Sequence, residues 1–157
     1  MVSLEYVAGF FDGEGCFSFA MYFTGTHAYL TPQANVGNND VKVLEQIKFV
    51  LELNEIKSNL HKQKNRLPFT VLNITGRANL LKLVQKLAPY LVVKRQQAKC
   101  FEQYLTAKTL VEAYSAVKEF YETKLGFDEA KAPYPYRFAL ASLGNVVPQF
   151  LEQYIRT

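Results

Sequence analysis

The chain has 157 residues, a formal net charge of +4, 49% hydrophobic residues and two cysteines. That length supports one domain with a full core and no covalent staples. Cys16 and Cys100 are too few for a disulfide framework and lack metal-ligand spacing, so a reducing intracellular compartment is expected. No apolar run is long enough to span a membrane, and a pI near 9.0 is compatible with a nucleic-acid partner.

The first element is a helix from Leu4. Leu4, Val7, Ala8 and Phe11 share one face, while Val2, Tyr6, Gly9 and Phe10 line the other. A helix apolar nearly all round is expected to be buried on both sides. Ala8 and Gly9 are small, which allows another element to approach closely. The helix ends in Asp12-Gly13-Glu14-Gly15, two acids interleaved with glycines. Acids at a helix C-terminus face the unfavourable end of the dipole, so a cation is expected there. Carboxylate and backbone carbonyl oxygens are the ligands that suit Mg²⁺. Because the chain opens directly with this helix, no targeting signal is expected.

From Cys16 the hydrophobic period falls to two. Phe17, Phe19, Met21 and Phe23 take one face, and Ser18, Ala20 and Tyr22 the other. A turn at Gly25 leads to a second strand with Ala28, Leu30, Pro32, Ala34 and Val36 inward and Tyr29, Thr31, Gln33 and Asn35 outward. Pro32 suits an edge or a bulge. Asn38-Asn39-Asp40 offers a cap for a helix carrying Leu44, Ile47 and Leu51. The pattern then repeats: a strand from Ile56 to Gln63, a polar tip through Lys64 and Arg66, a strand from Phe69 to Ile74, and a helix capped by Thr75 and stopped by Pro89.

Ala98, Phe101 and Leu105 mark the next helix, and Thr109-Leu110-Val111-Glu112 is a capping box for another, ending before Gly126. Pro133-Tyr134-Pro135 reads as a link, and Pro148 as the opening of a last helix carrying Phe150, Leu151 and Tyr154. The fold class is α+β, with helices on one face of an antiparallel sheet and the other face free for a partner. One domain over 1–157 is expected, with a core to about residue 107 and a helical extension from about 109.

The outward strand positions carry amides, hydroxyls and basic groups: Ser18, Ala20, Tyr22, Tyr29, Thr31, Gln33, Asn35, Lys57, Asn59, His61, Gln63 and Thr70. Such groups read base edges in a major groove, which admits a β-ribbon. Lys57, Lys62, Lys64 and Arg66 would contact phosphates. Almost no acid falls on these faces, whereas an ordinary solvent face mixes signs.

Val7-Ala8-Gly9-Phe10-Phe11-Asp12-Gly13-Glu14-Gly15 resembles the signature of the LAGLIDADG homing endonucleases in their one-motif, homodimeric form. The resemblance extends over about the first 105 residues. It implies an αββαββα core with a saddle-shaped antiparallel sheet for DNA, followed by C-terminal helices. It also implies Mg²⁺-dependent double-strand cleavage of a long pseudo-palindromic target across the central minor groove, leaving 3′ overhangs. Mn²⁺ is expected to substitute, and Ca²⁺ to support binding without turnover.

By the same resemblance Glu14 and the Gly13 carbonyl bind metal, with Glu14 one methylene longer than the family's usual Asp. Pro89-Tyr90-Leu91-Val92-Val93-Lys94 matches the segment with the active-site lysine, which falls on Lys94; Lys42 is a weaker basic candidate. Asn38 matches a polar residue that organises water. Tyr6, Ala8, Gly9 and Asp12 are expected at the dimer interface, with Asp12 structural rather than catalytic. An intron-encoded origin, organellar or prokaryotic, follows from the same likeness. The alternatives are a maturase that binds its own intron RNA and a catalytically inactive DNA-binding protein.

Overall fold

The computed structural model describes residues 1–24, 27–65, 69–125 and 146–148. In chain order the elements are α1 (Leu4–Glu14), β1 (Gly15–Thr24), β2 (His27–Asn38), α2 (Val41–Leu53), β3 (Asn59–Lys62), β4 (Thr70–Thr75), α3 (Arg77–Leu87), α4 (Arg95–Thr106), α5 (Leu110–Leu125) and β5 (Val146–Pro148). This is the expected α+β order, helix–hairpin twice over and then helices.

β1 and β2 pair antiparallel from Gly15↔Val36 to Thr24↔His27, and β3 pairs β4 from Asn59↔Asn73 to Lys62↔Thr70. The hairpins join through β2 and β4, giving the order β1-β2-β4-β3. Pro32 lies in a central strand, but at a place where it costs nothing. β4 pairs residues Gln33 to Asn38 and β5 pairs Ala28 to Leu30, so Pro32 has neither neighbour on that side. A residue without an N–H fits such an edge-like gap.

The core lies between the sheet and the helices. Phe17, Ala34, Val36, Leu72 and Ile74 meet Leu44, Ile47, Leu80, Leu83 and Val84, all with no exposure. Beneath β1 an aromatic cluster forms: Phe19 stands 4.9 Å from the Phe101 ring, 4.8 Å from Tyr104 and 5.2 Å from Phe120. The buried Tyr104 hydroxyl donates to the Leu30 carbonyl at 3.2 Å, satisfying its polar end. α5 closes this cluster, and Lys124 in its last turn donates to the Phe17 carbonyl at 2.8 Å and reaches Cys16 Sγ at 3.2 Å. The C-terminal end of α5 is thus fastened to the start of β1.

Local capping follows the residue chemistry. Ser3 caps α1 by accepting the Tyr6 N–H at 3.2 Å, and Asp40 caps α2 by accepting the Lys42 N–H at 3.0 Å. Thr109 accepts the Glu112 N–H as a capping box requires, whereas Glu112 reaches back to the Lys108 N–H. Gly76, rather than Thr75, stands at the N-terminus of α3, with φ of 88°. Pro148 ends a short strand parallel to β2, and the helix expected to follow it lies outside the described residues. Gly25, Arg66, Gly126, Pro133-Tyr134-Pro135 and Phe150, Leu151 and Tyr154 lie outside the described residues, as do the side chains of Tyr22 and Tyr29.

Gly15 is required by a close approach. A Cβ there would stand 2.6 Å from Phe11 Cδ1 and 2.7 Å from the Phe11 carbonyl oxygen. The backbone cannot retreat, because Gly15 N–H caps α1 on that same oxygen. Gly15→Ala is expected to cost about 2 kcal/mol, as overpacking does. A fall in the urea midpoint at unchanged slope would record it.

Candidate active site and nucleic-acid face

α1 carries the two acids to the edge of the sheet. Val7, Ala8 and Phe11 are fully buried against the core, while Gly9, Gly13 and Glu14 are exposed and Tyr6 is 44% exposed. Tyr6 and Phe10 stack at 6.1 Å on this open side. The expectation of burial on both sides therefore holds for one side of the isolated chain. Ala8 is corrected: it packs in its own core and presents nothing to a second molecule. The open stripe is Tyr6, Gly9, Phe10 and Gly13, at the i, i+3, i+4, i+7 spacing of one helix face. A Cβ at Gly9 or Gly13 would meet nothing within 4 Å.

Asp12 and Glu14 have different surroundings. Asp12 Oδ2 accepts the Val92 N–H at 2.7 Å and Oδ1 accepts the Lys94 N–H at 2.8 Å. The Lys94 ammonium in turn donates to the Asp12 backbone carbonyl. Segments 80 residues apart in sequence are thereby locked together, with the Lys94 ammonium on the carbonyl of Asp12, two positions before Glu14 in the same turn. The half-buried Asp12 is turned to this lock rather than to a partner molecule, in keeping with a structural role. Glu14 has no hydrogen-bond or ion partner among the described residues and projects from the helix end. Among the described residues no three His, Cys, Asp or Glu side chains gather to enclose a metal.

Burial of Asp12 would raise its carboxyl pKa, but hydrogen bonds from the Val92, Lys94 and Val93 N–H groups and the Lys94 charge outweigh it. The net result lies below the usual Asp value of 3.8. A depressed folded pKa contributes stability that is complete above the unfolded value and is lost as pH falls through the folded one. Asp12→Asn is expected to cost about 2 kcal/mol at neutral pH, the scale of hydrogen bonds to a charged acceptor. Wild type should keep this advantage down to pH 5 and lose it progressively below 3.8, as denaturant titrations across pH would record.

The outward sheet face follows the expected alternation at most positions. Ser18, Ala20, Thr31, Gln33 and Asn35 are half-buried beside buried Phe17, Phe19, Leu30, Ala34 and Val36. Asn59, His61, Gln63 and Lys64 are exposed, and Lys57 lies just before β3 with its N–H on Asn79 Oδ1. Gln33 Nε2 donates to Ser18 Oγ at 3.2 Å, across the Ser18↔Gln33 pair. Thr70 is corrected. It shares the parity of Leu72 and Ile74 and is 2% exposed, so it faces the helices. The outward residues of β4 are Val71, Asn73 and Thr75, and Asn73 is the one that sequence reasoning missed.

Asn38 ends β2, and its Oδ1 accepts the Asp40 N–H at 2.8 Å, a turn that feeds the α2 cap. That contact uses one acceptor position and leaves the amide a second lone pair and two N–H donors. Cys100 is buried, and burial followed by the nearby Glu119 charge pushes its thiol up to about 11. A thiol held that high is not a nucleophile at neutral pH.

Comparison with known proteins agrees with this geometry. A family model described as LAGLIDADG endonuclease matches residues 7–110. A search of curated proteins gave no match. Among solved structures, the archaeal intron-encoded homing endonuclease I-Vdi141I superposes with a TM-score of 0.69 at 22% identity, covering 90% of this chain and 94% of that one. The homing endonuclease I-CvuI gives 0.66 at 22% identity, with 92% and 96% covered. The group I intron-encoded I-CeuI gives 0.65 at 19% identity, with 89% and 75% covered. At such identities these likenesses establish the fold, and the family model covers two thirds of the sequence, including the acidic turn and Lys94. The chain belongs to the LAGLIDADG endonuclease family, with the one-motif pattern.

Proposed function

We propose that the chain is a site-specific DNA endonuclease that makes Mg²⁺-dependent double-strand breaks as a homodimer. The observation that carries this reading is the Asp12–Lys94 lock, which holds a lysine ammonium on the backbone of the same acidic turn that carries Glu14, an exposed acid without a partner among the described residues, at the edge of a nearly acid-free polar sheet. The sheet seats in a major groove, with Lys57 and Lys64 on the backbone phosphates. The Lys94 ammonium faces the scissile phosphate and stabilises the charge that develops there. Its position is prepaid, since two backbone hydrogen bonds and its own carbonyl contact hold the loop before DNA arrives.

The Glu14 carboxylate and the Gly13 carbonyl are the donors that suit Mg²⁺, which supplies activation of the attacking water and stabilisation of the leaving oxygen. Glu14 is free to serve as such a ligand because no described residue of its own chain hydrogen-bonds or ion-pairs with it. One chain offers one such acid, and the exposed α1 stripe supplies a surface for a second copy. A two-fold axis along that stripe would bring two Glu14 side chains together and make the target pseudo-palindromic. The similar structures I-CvuI and I-Vdi141I are complexes with DNA, and I-CvuI has been crystallised in Mg²⁺ and in Ca²⁺, which supports the partner and the metal. Sedimentation of the purified protein, alone and with a selected duplex, should show a dimer at micromolar concentration. A monomer in both conditions would end the symmetric mechanism.

A further inference from the structure

Three asparagines fall into one row across the outward sheet face. Asn35 on β2 stands opposite Asn73 on β4, and Asn73 opposite Asn59 on β3. Each is flanked along its strand by inward residues, among them Ala34 and Val36 beside Asn35, and Leu72 and Ile74 beside Asn73. Neighbouring strands lie about 4.8 Å apart, so the row extends about 10 Å. That is close to the width of a major groove, about 12 Å.

Asparagine is disfavoured in strands, so three in register need a reason. Packing does not provide one. The asparagines with structural work are hydrogen-bonded: Asn38 to the Asp40 N–H, Asn54 to the Val50 carbonyl, and Asn79 to both the Lys57 N–H and the Thr75 carbonyl. Among the described residues the carboxamides of Asn35, Asn73 and Asn59 have no such partner. In the adjacent row, Gln33 stands between Ser18 and Thr75 and has one amide N–H taken by Ser18. It keeps one donor and its carbonyl for an incoming group.

We propose that Asn35, Asn73 and Asn59 form an adenine-reading row, so that each half-site carries an A·T pair at the level this row crosses. The inference rests on the DNA reading of the same face and names what that face selects. A carboxamide presents an acceptor beside a donor, the complement of adenine N6–H and N7. Guanine offers two acceptors in the major groove, which would set the amide carbonyl against O6 or N7. The constrained Gln33 has the same single donor and acceptor and extends the preference to the next level.

The test measures binding in Ca²⁺ to a selected duplex in which every position is changed to all four base pairs. Wild type is compared with Asn73→Ala and Asn73→Arg. Both side chains point outward from the sheet, and thermal melts check that each variant is folded. Wild type should require A·T at a symmetric pair of positions. Asn73→Ala should reduce that discrimination about tenfold, and Asn73→Arg should move the preference to G·C at the same positions. An unchanged base profile in both variants, or a uniform loss of affinity at all positions, overturns the adenine-reading row while leaving DNA binding intact. Absence of selected DNA binding by wild type overturns both readings together.

Discussion

Glu14→Gln keeps the fold and the ability to bind DNA and loses cleavage by at least a hundredfold, the scale on which a single electrostatic group at a reacting phosphate acts. The side chain is exposed and has no partner among the described residues, so the neutral isostere breaks no contact within the chain. If anything the helix gains, because a negative charge is removed from the C-terminal end of its dipole. Stability therefore stays level or rises slightly while activity collapses. That combination separates a metal-binding acid from a structural one. Asp12→Asn should behave in the opposite sense, with lost stability as well as lost activity, because Asp12 holds the Lys94 loop. A thermal melt beside a plasmid-cleavage time course distinguishes the two acids.

Gly9→Leu is expected to leave the monomer folded and abolish assembly. A Cβ at Gly9 meets nothing within 4 Å, so a side chain there enters open space in the isolated chain. Replacing a mid-helix glycine by leucine also favours the helix by about 0.8 kcal/mol. An unchanged or raised melting temperature with a monomeric sedimentation profile, and no double-strand cleavage, is the expected set of results. The variant should not nick efficiently either, since each site needs the acid of the second chain. A dimer with full cleavage would show that the two-fold axis does not run along the Tyr6–Gly9–Phe10–Gly13 stripe.

Much of this organisation was legible because two periodicities carry the information. The apolar residues of α1 and the alternation in β1 and β2 gave the elements, their order and the inward face, and the acidic turn gave the family. Parity was followed at Ser18, Gln33 and Asn35 but broken at Thr70, where residue type suggested an outward hydroxyl although Leu72 and Ile74 fix that parity inward. The same slip hid Asn73. Ala8 misled for a different reason: a small residue permits close approach, but its position beside Val7 and Phe11 decides which surface it approaches. The Asp12–Lys94 lock joins residues 82 positions apart, and no local pattern announces a contact of that separation. It became visible only when the loop after α3 was placed against the end of α1.

The central claim is metal-dependent cleavage that runs through Glu14. The most direct measurement is sequencing of the cut products from a pooled pseudo-palindromic duplex library treated in Mg²⁺ with wild type and with Glu14→Gln. The account predicts a small set of related sites cut on both strands by wild type and left whole by the variant. Equal cutting by both proteins, or a wild type that binds selected sites and leaves every one intact, would contradict it.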